Sequence, residues 1–188
     1  MVLKAGSPES FASLSGALAS GGIAIAPGDT MYGLIGIVPG AEARLRAVKG
    51  RGEDKPFLQI VPEASWIGRI SDQSVPRKLQ KYWPGPLTLV VRDRRGGTVA
   101  VRVPDSKFLQ KLVSAVGVPL YSTSVNRAGS PPLRSVVEMV REFSDDVDAI
   151  FDDGDHEPGP PSTLLDITSV PYKVLRQGAL RIDPADLL

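Results

Sequence analysis

Gly21-Gly22-Ile23-Ala24-Ile25-Ala26-Pro27-Gly28-Asp29-Thr30-Met31-Tyr32-Gly33-Leu34 is the stretch whose reading sets the fold. Its apolar run, Ile23 to Ala26, ends on Pro27 and Gly28, so it reads as a short buried strand that delivers the chain to a polar loop. The two glycines before it stop a helix over Phe11 to Ala19, whose start is marked by Ser7 as N-cap, Pro8 as first helical residue and Glu9 as first-turn acid. Beyond the loop, Ala41 to Val48 reads as a second helix with Gly50 behind it, and Phe57 to Val61 returns as a strand. The order read so far is helix, strand, helix, strand.

Trp83-Pro84-Gly85-Pro86 forms a rigid turn before a strand at Leu87 to Arg92. Arg95-Gly96-Gly97 then separates that strand from Thr98 to Val103, which predicts a hairpin. A direct hairpin excludes a purely parallel sheet. Lys107 to Val116 reads as a helix, Val118 to Tyr121 as a strand and Leu133 to Phe143 as a helix. Ala149 and Ile150 lead into an Asp-rich loop, and strands at Thr163 to Ile167 and Tyr172 to Leu175 complete the pattern. With no internal repeat, low-complexity tract or break in composition, the expectation is one α/β domain over residues 5–183, a twisted mixed parallel/antiparallel sheet with packed helices.

At 188 residues and 42% hydrophobic, the chain can bury a sizeable core. Lys plus Arg number 22 against 21 acids, so nucleic acid binding through gross charge is excluded and any basic site must be local. The absence of cysteine excludes disulfides, thiolate metal sites and a cysteine nucleophile. Met1 to Ser20 lacks the cationic-then-apolar layout of a signal peptide, and no apolar run reaches membrane-spanning length. The sequence therefore reads as soluble and cytoplasmic, with no membrane partner.

The common nucleotide signatures, the phosphate-binding loop ending in Gly-Lys-Ser/Thr and Gly-x-Gly-x-x-Gly after a strand, are both missing. Lys49, Arg51 and Lys55 place three cations within seven residues, between the end of the second helix and the next strand. That spacing suits a triphosphate, because Arg forks two phosphate oxygens and Lys supplies a mobile point charge; it equally suits a solvated helix end. Ser122-Thr123-Ser124-Val125-Asn126-Arg127-Ala128-Gly129 follows an apolar strand, where open α/β sheets bind ligands, although the same residues make a good helix cap and turn. Pro27 to Thr30, with Tyr32 and Gly33, is a second polar loop after a strand, and Gly159 to Thr163 is a third before one. Three such loops can converge on one cleft. His156, the only histidine, stands in Asp152-Asp153-Gly154-Asp155-His156-Glu157. This run has neither calcium-loop spacing nor a second histidine, so it reads as a solvated acidic turn and no metal site is assigned. No Gly-x-Ser-x-Gly elbow supports a serine hydrolase.

Taken in order, the blocks Gly21 to Leu34, Lys49-Gly50-Arg51 with Lys55-Pro56, Trp83 to Thr88, Val99-Ala100-Val101-Arg102-Val103-Pro104, Ser122 to Gly129, Asp152-Asp153-Gly154, Ser162-Thr163 and Leu175-Arg176-Gln177-Gly178 resemble the YrdC-type threonylcarbamoyl-AMP synthase family, in its short, single-domain form. The joint order of these blocks is specific where any one alone is weak. The resemblance implies a YrdC-like fold and the condensation of L-threonine, bicarbonate and ATP, with Mg2+ accompanying the nucleotide, into threonylcarbamoyl-adenylate and pyrophosphate. A separate tRNA-modifying transferase complex would then use the adenylate at A37. By the same resemblance, Lys49 and Arg51 carry the reaction and bind phosphates with Lys55 nearby, Ser124, Asn126 and Arg176 serve ATP, and Thr30, Arg102, Ser122 and Ser162 surround threonine.

The sequence also departs from the family. Pro27-Gly28-Asp29-Thr30 stands where Pro-Thr-Glu-Thr is usual, Val125 replaces an alanine, Arg127 takes an often apolar place, and Pro131 and Pro132 replace a hydroxyl residue. These changes keep two further readings open: a divergent YrdC-like paralogue that binds nucleotide or, weakly, RNA without threonine-dependent synthesis, and a carbamoyl-transfer domain of the kind fused into hydrogenase-maturation proteins.

Overall fold

Ser7 caps the first helix by accepting a hydrogen bond from the Ser10 N–H at 3.1 Å, with Pro8 in the first turn. The computed structural model describes residues 1–52, 55–157 and 159–188. In chain order, the elements are β1 (Val2–Lys4), α1 (Pro8–Ala19), β2 (Ile23–Ala26), β3 (Gly33–Ile37), α2 (Glu42–Lys49), β4 (Leu58–Ile60), α3 (Arg77–Gln80), β5 (Leu87–Arg92), β6 (Thr98–Arg102), α4 (Lys107–Val116), β7 (Leu120–Ser124), α5 (Val136–Phe143), β8 (Ala149–Asp152), β9 (Thr163–Asp166) and β10 (Lys173–Arg176). Short 3-10 turns cover Ala64–Arg69 and Pro184–Leu187.

Among the described residues the strands form a single ten-stranded sheet in the order β1-β8-β2-β3-β7-β4-β6-β5-β9-β10. Parallel pairs such as β8 with β2 and β4 with β6 alternate with antiparallel ones such as β2 with β3 and β5 with β6, so the expected mixed sheet is the one observed. The β5–β6 hairpin is also as expected, its turn held by the Asp93 carboxylate, which accepts from the Arg95 and Gly97 N–H groups at 2.8 Å.

Three strands escaped the sequence reading, among them β8, whose Ala149 and Ile150 read only as a lead into the Asp-rich loop. β1 is only three residues long and carries no periodic signal. β3 holds two glycines in five residues, a composition that weakens a strand, yet both stand at close approaches, that of Gly36 too close for any Cβ. A Cβ on Gly36 would lie 2.4 Å from the Ala41 Cβ, and one on Gly33 would lie 3.2 Å from the Ser122 hydroxyl. The strand expected to end at Tyr121 continues to Ser124, because Ser122 and Ser124 pair with Ile35 and Gly33. Helix α5 starts at Val136 rather than Leu133, capped by Ser135.

Side-chain alternation divides the sheet into two unlike faces. On one, Ile23, Ile25, Leu34 and Tyr121 pack under α2 and α5, while Leu87, Leu89, Val91, Val101 and Leu165 pack under the 3-10 turn, α3 and Trp83. On the other, α1 and α4 cover β8, β2 and β3 and reach Leu120 of β7 and Ile60 of β4, burying Leu14, Leu18, Leu112 and Val113 against Ala24, Ile35, Ile60 and Leu120. The rest of that second face is bare of helices. The Gly36 contact generates a prediction: Gly36→Ala should lower the unfolding free energy by about 2 kcal/mol through overpacking against Ala41 and Ile23. Urea denaturation would measure it, and an unchanged midpoint would show that α2 shifts freely.

Candidate functional site

The bare part of the sheet is the floor of a cavity of about 860 Å³. Register fixes its floor: Ile35 pairs with Ser122, Ser122 with Leu58, Leu58 with Ala100 and Ala100 with Val90, and all five residues line the cavity. This row spans five strands, about 19 Å at the usual strand spacing. Ser124 lies one row to one side of it, and Arg102 lies one row to the other, across from Ile60. The two are therefore separated by about 13 Å along the strand direction.

At the Ser124 end stand Arg51 and Lys55, just before β4, with Thr98 at the start of β6. The Arg51 guanidinium donates to the Lys55 and Pro56 carbonyls, both at 2.9 Å, and lies over the Phe57 ring. Lys55 is exposed, and its ammonium makes no hydrogen bond or ion pair among the described residues. Lys49 and Asn126, by contrast, do not line the cavity. Lys49 is only 4% exposed, and its ammonium donates to the Ser124 carbonyl at 2.6 Å, the Ser124 hydroxyl at 3.1 Å and the Asn126 Oδ1 at 2.5 Å. All three donors are spent bracing the wall that carries Ser124. The Asn126 amide group donates in turn to the Arg127 and Ser130 carbonyls. Arg127, at the position the sequence marked as unusual, joins the Val48 carbonyl at the end of α2 to the Glu142 carbonyl and Asp146 carboxylate beyond α5.

At the opposite end, Arg102 is 5% exposed. Its Nε donates to the Gly85 carbonyl at 2.9 Å and its Nη2 to the Asp29 Oδ2 at 2.5 Å, and the same oxygen accepts from the Asp105 N–H at 2.9 Å. Burial pulls the guanidinium below its ordinary pKa, and Asp29 acts against that pull. Ser162 shares a 2.7 Å hydrogen bond with Thr88, and Arg176 donates to the Ser162 carbonyl at 2.9 Å. Arg176 thus stands at the Arg102 end, away from Arg51 and Lys55.

The three polar loops picked out from sequence do converge, since Gly28 to Gly33, Ser122 to Ser124 and Gly159 with Pro161 and Ser162 all line the cavity. They are tied together: the Gly159 N–H donates to the Thr30 carbonyl at 2.7 Å, and the Tyr32 hydroxyl donates to the Gly154 carbonyl and accepts from the Asp153 N–H, both at 2.9 Å. His156 packs its ring on Tyr32 with centroids 5.0 Å apart. Among the described residues no group of three His, Cys, Asp or Glu side chains gathers as a metal site, and no helix is long and apolar enough to cross a membrane. Asp29, Thr88 and Thr98 are polar lining residues to which the sequence assigned no role in the site. The signal for Asp29 was the departure from the usual loop, whereas Thr88 reads as an ordinary strand residue.

Burial, reinforced by the nearby Arg51, lowers the Lys49 pKa from its ordinary 10.5 to about 8. The unfolded chain therefore binds more protons than the folded one between pH 8 and 10.5, and stability must rise with pH across that window. The wild type should gain about 2 kcal/mol more than Lys49→Met between pH 8 and pH 10. Paired denaturation curves at those two pH values check it; equal gains would mean that the buried ammonium keeps its solution pKa.

With this geometry in hand, comparison with known proteins is specific. The sequence model of the Sua5/YciO/YrdC family, described as telomere recombination, matches residues 16–178. A threonylcarbamoyl-AMP synthase of Pyrococcus abyssi is 29% identical over 184 residues, covering 90% of this chain and 54% of that protein. One from Neisseria gonorrhoeae is 32% identical over 150 residues, covering 71% of this chain and 79% of that one. The crystal structure of P. abyssi Sua5 complexed with L-threonine superposes with a TM-score of 0.86 at 26% identity, covering 96% of this chain and 58% of that one. The chain therefore spans little more than half the length of the P. abyssi protein. The family match covers most of the chain and coincides with the strands and loops that build the cavity, so the chain belongs to the Sua5/YciO/YrdC family.

Proposed function

We propose that this protein condenses L-threonine, bicarbonate and ATP into threonylcarbamoyl-AMP, releasing pyrophosphate and water and supplying the adenylate to a tRNA-modifying transferase. The observation that carries the reading is the division of one cavity into two polar ends across an apolar floor, with Arg51 and Lys55 at one end and Arg102 with Thr30 and Ser162 at the other. The names of the P. abyssi and N. gonorrhoeae relatives, and the threonine complex of P. abyssi Sua5, point the same way.

In this reading the triphosphate lies over the Ser124 end, where Lys55 offers a mobile ammonium and Arg51 a guanidinium for the pyrophosphate that leaves. Lys49 and Asn126 act by holding Ser124 and its loop, a rigid second layer behind the phosphates. Threonine lies at the other end with its carboxylate on Arg102, near the hydroxyls of Thr30 and Ser122, while Ser162, fixed by Thr88 and Arg176, closes that side. Its carbamate oxygen is then directed across the floor toward the α-phosphorus, so alignment and charge neutralisation supply most of the acceleration. The described residues do not assemble a protein-built site for magnesium.

The test is pyrophosphate release from ATP and bicarbonate, with and without L-threonine, alongside chromatography for the adenylate. Threonine-dependent release with a matching product is expected, and Arg51→Ala should lower kcat/KM about 100-fold or more with little change in thermal midpoint. ATP binding without threonine-dependent turnover would sink the reading in favour of a relative with another acceptor. The site tolerates that outcome structurally, because Gly28 changes the loop on the threonine side.

A further inference from the structure

Asp29 is the one carboxylate lining the cavity among the described residues, and its two oxygens are treated unequally. Oδ2 accepts from both the Arg102 guanidinium at 2.5 Å and the Asp105 N–H at 2.9 Å. Oδ1 accepts no hydrogen bond from any described residue. The side chain is only 10% exposed and Arg102 only 6%, so both charges sit in the wall rather than in bulk water. Arg102 is itself fixed at its Nε by the Gly85 carbonyl. The pair is therefore rigid, with one acceptor oxygen left open toward the cavity.

Rigid placement originates in the loop. The Gly28 N–H donates to the Met31 carbonyl at 3.1 Å, closing a tight turn with Asp29 inside it. A Cβ at residue 28 would lie 2.5 Å from that same carbonyl oxygen, so any other residue would force this turn to shift. The glycine that departs from the usual loop is thus what aims Asp29 at Arg102. Neighbouring hydroxyls are open as well: those of Thr30 and Ser122 make no hydrogen bond among the described residues, though both residues line the cavity.

We propose that Asp29 is the specificity-determining residue for a free α-amino group, its Oδ1 receiving the substrate's ammonium while Arg102 receives the carboxylate. A guanidinium and a carboxylate held side by side match the two charges of a zwitterion, and a charge-assisted hydrogen bond in a poorly solvated wall discriminates well against a neutral analogue. The bland alternative is that Asp29 only neutralises and positions buried Arg102. The two differ in what they do to a ligand that keeps its carboxylate but lacks the amine. This inference rests on the amino-acid reading given above and names the group that enforces it.

The experiment is calorimetric titration of the ATP-bound protein, without bicarbonate, using L-threonine and its α-hydroxy analogue, in which a hydroxyl replaces the amine. Asp29→Asn keeps the shape and an acceptor for Arg102 and Asp105 but turns an amide N–H toward the cavity. It should weaken threonine about 10- to 100-fold while changing the α-hydroxy analogue by less than about 3-fold. Equal weakening of both ligands, or of neither, would overturn the proposal and leave the synthase reading standing. A wild type that binds both ligands equally well would do the same. A wild type that binds ATP but neither acid would remove the synthase reading and this proposal together.

Discussion

Strand register is the constraint on which the rest of this structure depends. Because the strands from β3 to β5 keep their alternation in phase, Ile35, Ser122, Leu58, Ala100 and Val90 all face one way, and Leu34, Tyr121, Val101 and Leu89 face the other. A slip of one residue between any two neighbours would send a core side chain into the cavity and a floor residue into the core. Helices, a 3-10 turn and Trp83 pack on one face, whereas helices cover only one side of the other, so the cavity is the part of the sheet for which the chain supplies no helix. Its position follows from topology before any polar residue is considered.

What polar residues add is a contrast between spent and open groups. The ammonium of Lys49, the amide of Asn126 and the hydroxyls of Ser124 and Ser162 are engaged within the protein. Among the described residues, the Lys55 ammonium, the hydroxyls of Thr30 and Ser122 and one oxygen of Asp29 find no such partner. The first group holds the second in place, because a buried polar atom that is already satisfied resists displacement far more strongly than a solvated one. Side chains that look equivalent in a motif, such as Lys49 and Arg51 two residues apart, are therefore placed differently, Lys49 behind the wall and Arg51 along the cavity.

That division was not legible in the sequence, for an identifiable reason. Helix α2 ends at Lys49, and Gly50 adopts the left-handed conformation, so the chain turns sharply between the two cations. Whether a lysine just inside a helix end points to solvent or under a neighbouring strand depends on contacts with Ser124 and Asn126, 75 and 77 residues away. The polar loops were readable because Pro and Gly punctuate strands locally, and the β5–β6 hairpin was readable for the same reason. Asp29 and Thr88 were not, since each is defined by a partner 73 or 74 residues distant. Strand β3 was hidden by glycines whose purpose, making room for Ala41 and Ser122, is tertiary.

A nearly neutral chain can still present a strongly cationic cleft, and the distribution of ion pairs explains how. Asp152 is paired with Lys4, Asp148 with Arg44, Asp146 with Arg127, Asp72 with Arg94 and Asp186 with Lys81, none of these acids lining the cavity. Acidic residues are thus spent on securing loops and termini. The described lining of the cavity includes Arg51, Lys55, Arg102 and Arg176, and its one described acid is Asp29, on Arg102. Low-dielectric walls on either side strengthen the field of those four cations at the floor, where a polyphosphate or a carboxylate would gain most from it. Overall charge therefore says little about the ligand, while the one acid retained inside the cleft says a good deal about which anion is admitted: one that also brings a positive charge.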